Sequence, residues 1–96
     1  MIKHIVCFKL KDNSDAEVKK AADILNSMKG KVPTALSIEV GCDFLHSPRS
    51  YDIILQVVVD SPEALDAYQN DEYHCSVVKA HMHEVAEASI AVDYVI

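Results

Sequence analysis

The sequence predicts an α+β fold, a ferredoxin-like (split βαβ) subunit whose helices cover one face of a four-stranded antiparallel sheet. Three observations carry this expectation. Apolar and polar residues alternate along residues 2–11, 36–44 and 88–95, the pattern of half-buried strands. A fourth stretch, Ile53 to Val59, is apolar except for Gln56 and reads as a central strand buried on both faces. The segments between them have helical spacing, giving the order strand, helix, strand, strand, helices, strand. At 96 residues the chain is expected to form one domain, residues 1–96.

In the first strand Ile2, His4, Val6, Phe8 and Leu10 point one way, and Lys3, Ile5, Cys7, Lys9 and Lys11 the other. His4 thus belongs to an apolar face and needs a hydrogen-bond partner there. Ser14-Asp15-Ala16-Glu17 has the form of a capping box, with Ser14 as N-cap. Val18, Ala21, Ala22, Leu25 and Met28 make the apolar stripe of the helix it opens, Gly30 suits its C-cap and Pro33 prevents continuation. Leu36, Ile38, Val40, Cys42 and Phe44 alternate with Ser37, Glu39, Gly41 and Asp43 as a second strand, and His46 to Ser50 form a loop. After the central strand, Ser61 caps a short helix in which Pro62 takes the first position. Asp71 to Glu87 reads as one further helical segment, and Ala88 to Val95 as the last strand.

Composition excludes several classes. No apolar run reaches the roughly 20 residues of a membrane-spanning helix, and the start lacks the layout of a signal peptide, so a cytoplasmic protein is expected. A net charge of −6 argues against a nucleic-acid partner. Cys7, Cys42 and Cys75 have no CxxC spacing, which favours reduced, mostly buried thiols over a disulfide framework or a zinc site. His81 and His83 stand two apart and do not share a helix face, so no metal is expected; nor is there a Gly-rich phosphate loop for a nucleotide cofactor.

The most function-like feature is the end of the central strand, where a short helix carries Tyr68 toward His74. Residues six apart on one α-helix point about 120° away from each other, so the two can share a site only if the chain turns between them. Asn70-Asp71 supplies that turn, because Asn and Asp cap new helices and tolerate turn conformations. On the far side of the sheet Ile5, Cys7, Ile54, Val58, Ile90, Val92 and Tyr94 form an uncovered apolar patch, which predicts a homodimer packed sheet to sheet.

Lys3-His4-Ile5-Val6 with Phe8-Lys9-Leu10-Lys11, Tyr51-Asp52 to Val59, Ser61 to Gln69 followed by His74, and the closing Val92-Asp93-Tyr94 resemble the stress-responsive dimeric α/β-barrel (Dabb) domain family over essentially the whole chain. The resemblance implies a homodimer whose sheets build a barrel. In the plant polyketide-cyclase branch of that family, which works without a cofactor, the pattern is a first-strand histidine, a helix tyrosine and a later histidine. The matching positions are His4, Tyr68 and His74. The resemblance implies His74 as general base, Tyr68 as the residue that orients the base or bonds the substrate, and His4 as oxyanion stabiliser. It also implies substrate contacts at Leu55 and at Leu25, Ala22, Ala86, Ser89 and Ala91, although all of these except Leu55 depart from that branch, as does Glu72 in place of a proline. The expected function is therefore a small-molecule pocket for an apolar or carbonyl ligand, with cofactor-independent cyclisation, isomerisation or a related lyase step. A non-catalytic ligand-binding or stress-associated dimer and a cofactor-free monooxygenase are the alternatives.

Overall fold

β1 (Ile2–Leu10) is the inner strand on which the sheet is assembled, flanked antiparallel by β3 (Ile53–Val59) and β4 (Ala86–Val95), with β2 (Ser37–Cys42) beyond β3. The computed structural model describes all 96 residues. The strand order β2-β3-β1-β4 and the helices between strands make the ferredoxin-like layout that the sequence predicts. Residues paired across antiparallel strands share a face. One face therefore carries the rows Asp93–His4–Val57–Ile38 and Ala91–Val6–Leu55–Val40, and the other carries Val92–Ile5–Gln56–Glu39 and Ile90–Cys7–Ile54–Gly41.

The helices lie on the first face. α1 (Asp15–Asn26) buries Ala21, Ala22 and Leu25. α2 (Pro62–Gln69) begins at Ser61, whose side chain accepts the Ala64 N–H at 3.1 Å, and buries Tyr68. Leu25, Met28, Val57, Val59, Tyr68 and Val78 meet in one core, each side chain contributing about 1.5–3 kcal/mol by its removal from water. Asp52 is buried as well, its Oδ2 accepting the Leu10 N–H at 2.8 Å where β1 ends, which accounts for its charge structurally.

Local expectations are corrected at several points. Ser14 stands at the N-cap of α1 but makes no side-chain cap bond; its N–H donates to Asp12 Oδ1 at 3.0 Å, and Asp15 and Glu17 complement the helix dipole. α1 ends at Asn26, and Gly30 serves the following turn with φ +80°. β3 is fully buried only through Ile53, Leu55, Val57 and Val59, since Ile54, Gln56 and Val58 face the uncovered side. Leu36 and Phe44, expected to continue the apolar side of β2, lie beyond its ends and are exposed. The thiols are not mostly buried: Cys7 is partly covered, and Cys42 and Cys75 are exposed.

The largest departure follows α2. Residues from Glu72 on are helical, but His74–Lys79 forms a π-helical turn before α3 (Ala80–Val85), and β4 starts at Ala86 rather than Ala88. The earlier start is accommodated by a register shift at Lys9/Leu10, which pairs Leu10 with Ala86. No helix is long and apolar enough to cross a membrane.

Candidate active site

β4 extends the sheet beyond the cover of the helices, and the gap that results is a cavity of about 450 Å³, within the size range of small-ligand sites. Val6, Phe8, Leu25 and Leu55 form much of its apolar lining, and Ala86, Ser89 and Ala91 form its β4 side. His4, Tyr68 and His74 all line it. Ala22 does not line it: it is buried on α1, three residues before the cavity-lining Leu25.

The chain turns at Asn70-Asp71. Asn70 caps the C-terminus of α2, and Asp71 opens the next helix by accepting the His74 N–H on its Oδ1 at 3.0 Å. This turn lays the His74 ring over the Tyr68 ring, with centroids 4.4 Å apart and planes 28° apart. His4 meets the same tyrosine edge-on at 5.7 Å. Tyr68 is thus the shared wall of two imidazoles.

Hydrogen bonding fixes how each imidazole carries its proton. His74 Nδ1 lies 3.0 Å from the Tyr68 carbonyl oxygen, which can only accept, so Nδ1 donates. In the neutral ring this leaves the lone pair on Nε2. Burial pushes the His74 pKa below its usual value, with the positive charges of Lys79 and His4 acting in the same direction against the opposing Tyr68 carbonyl and Asp71. The His74 imidazole is therefore neutral near pH 7. His4 Nδ1 is hydrogen-bonded to Asp93 Oδ1, across the β1–β4 pair in which the two residues stand opposite. Burial, and secondarily Asp71, raises the Tyr68 pKa, so its phenol stays protonated; its only partner is the weak acceptor Sδ of Met28 at 3.7 Å.

Several lining residues escaped the sequence reading: Gln69, Lys79, Met82, His83 and Glu87. Asp93 was also missed as a partner of His4. The signal for it was present, because pairing the first and last strands places Asp93 directly opposite the buried histidine. His83 reaches the cavity, whereas His81 lies outside it with Nε2 buried and unpartnered.

A dimeric ferredoxin-like protein of unknown function from Thermobifida fusca YX superposes with a TM-score of 0.85 at 21% identity, covering 99% of this chain and 90% of that chain. A Dabb family protein with a ferredoxin-like fold from Mesorhizobium loti gives 0.76 at 22% identity, covering 99% and 95%. A hydroxynitrile lyase from Passiflora edulis gives 0.81 at 15% identity, covering 99% and 92%. These likenesses establish the fold. No curated protein matches the chain by sequence. The family model of the stress-responsive A/B barrel domain (Dabb) matches residues 2–96, and the chain belongs to that family.

Proposed function

We propose that the chain is a homodimeric, cofactor-independent catalyst of proton transfer on a small carbonyl compound, of the kind needed for cyclisation, isomerisation or a related lyase step. The observation that carries this reading is the fixed proton arrangement of His74: Nδ1–H is held by the Tyr68 carbonyl, and the basic Nε2 is left free in a ring that lines the cavity. Nε2 takes a proton from the carbon next to a substrate carbonyl, the electron pair moves to the carbonyl oxygen as an enolate, and the same imidazolium returns the proton at the end of the step. His4 stands across Tyr68 as the group that stabilises the enolate oxygen, with Asp93 orienting its ring and stabilising positive charge that develops on it. Tyr68 orients the base through its carbonyl and its ring face.

Dimerisation is supported by the uncovered sheet face, where Ile90, Val92 and Tyr94 are 52%, 57% and 42% exposed in one subunit, and by the dimeric description of the Thermobifida fusca protein. The hydroxynitrile lyase illustrates that this fold hosts lyases, an analogy that leaves the argument to the site itself. The second reading, a binding dimer without chemistry, is favoured by one observation: the Tyr68 hydroxyl is directed to Met28 and makes no polar hydrogen bond in the cavity.

The two readings separate in deuterium exchange. Aryl and alkyl β-keto thioesters in D₂O, followed by NMR, should exchange their α-protons faster with the native protein than without it. His74→Asn, whose amide N–H can replace Nδ1–H at the Tyr68 carbonyl, should lose about 100-fold of that acceleration. Binding of these compounds without accelerated exchange would leave the binding reading standing.

A further inference from the structure

His74 and Lys79 are the two ends of the π-helical turn. In an α-helix residues five apart are rotated about 140° from one another. The i→i+5 hydrogen bond of a π-turn instead brings them onto one side. Both residues consequently line the cavity, and both reach C-terminal carbonyls of α2: His74 Nδ1–H donates to Tyr68 O at 3.0 Å, and Lys79 Nζ to Gln69 O at 2.9 Å. An unbroken α-helix would have carried Lys79 away from His74.

Capping α2 accounts for one of the three donors of the Lys79 ammonium; the other two have no partner in the chain. The one lining carboxylate, Glu87, forms no ion pair with Lys79, and Asp93, just behind, is already bonded to His4. A part-buried ammonium at the cavity wall thus keeps two donors and its charge available to a ligand, and an uncharged ligand would leave that charge uncompensated.

We infer that Lys79 is an anion-binding residue of this cavity and that its ligand is an organic carboxylate: an apolar, ring-sized body bearing one carboxylate. The carboxylate accepts the free Lys79 donors beside His74 while the body packs on Leu25, Leu55 and Val6. The inference rests on the proposed small-molecule cavity but not on chemistry in it. It places the acid group of the ligand at the π-turn, and so sets which end of the ligand meets His74.

Naphthalene-2-carboxylate and naphthalene-2-carboxamide, titrated separately by NMR into the native protein, test it, because the two probes differ only in charge. The carboxylate should bind about tenfold more tightly than the amide, and that preference should shrink as salt is raised. Lys79→Gln should erase the preference without changing amide affinity, and Lys79→Arg should retain most of it. Equal affinity of the native protein for the two probes, or equal weakening of both by Lys79→Gln, overturns the assignment of Lys79 while leaving the cavity in place. Failure of both probes to bind overturns the cavity reading together with it.

Discussion

The ring of His74 lies on the ring of Tyr68 and is anchored to the backbone carbonyl of the same residue, so one amino acid sets both the position and the tautomer of the imidazole. The burial that makes this possible has a thermodynamic consequence. Because His74 is harder to protonate when folded, its native midpoint lies below the ordinary value of about 6.5 that it regains on unfolding. Between those two values the unfolded chain binds more protons, and stability falls as pH drops. The contribution of His74 is complete above about pH 6.5 and is lost through the interval below it. Urea unfolding at pH 7.5 and 5.5 should show a larger drop in midpoint for the native protein than for His74→Asn, and an equal drop in the two would contradict a buried neutral imidazole.

The His4–Asp93 contact separates orientation from charge. Asp93→Asn keeps an oxygen that can accept the His4 Nδ1–H, so melting should remain near native, while acceleration of α-proton exchange should fall because the ring loses its carboxylate. Asp93→Ala leaves a 95% covered imidazole without its partner and should cost about 1 kcal/mol or more in stability. Identical exchange rates for the native protein and Asp93→Asn would reduce the pair to a structural contact.

The proposed dimer rests on the rows Val92–Ile5–Gln56 and Ile90–Cys7–Ile54 of the uncovered face. Charges placed there would be buried without partners in a sheet-to-sheet dimer, a cost of several kcal/mol. Sedimentation at micromolar concentration should give a dimer for the native chain and a monomer, or insoluble protein, for Ile54→Glu combined with Val92→Glu. A native monomer under those conditions would refute the dimer.

The sheet was legible in the sequence because its strands are paired through period-two patterns that survive in the structure: His4 does share a face with Ile2, Val6 and Phe8, and Tyr94 with Val92 and Ile90. The turn between Tyr68 and His74 was legible too, since Asn70 and Asp71 carry their own capping chemistry. The π-turn was not. Nothing in His74-Cys75-Ser76-Val77-Val78-Lys79 opposes an ordinary α-helix, and only packing of this segment against the end of α2 distinguishes the two. Lys79 was hidden for that reason, whereas Ala22 does not line the cavity for a simpler one: it is rotated from Leu25 on α1 and buried.

Asp71 offers the most direct test of whether this turn, rather than the residues it presents, organises the site. Its Oδ1 accepts the His74 N–H, and its backbone carbonyl accepts the Cys75 N–H at 2.9 Å, so it holds the start of the segment that bears the base. Asp71→Ala removes the side-chain bond and should cost about 1 kcal/mol, the usual scale for an N-cap. Asp71→Asn retains an acceptor and should restore most of that stability. It removes the negative charge beside Tyr68 and His74, however, so the His74 midpoint should move further down, which an NMR titration of the imidazole would read. If the cap positions the base, Asp71→Ala should lose α-proton exchange activity and Asp71→Asn should keep it near neutral pH, where His74 is already unprotonated. Native activity in Asp71→Ala alongside the expected stability loss would show that stacking on Tyr68 is enough to hold His74 in place.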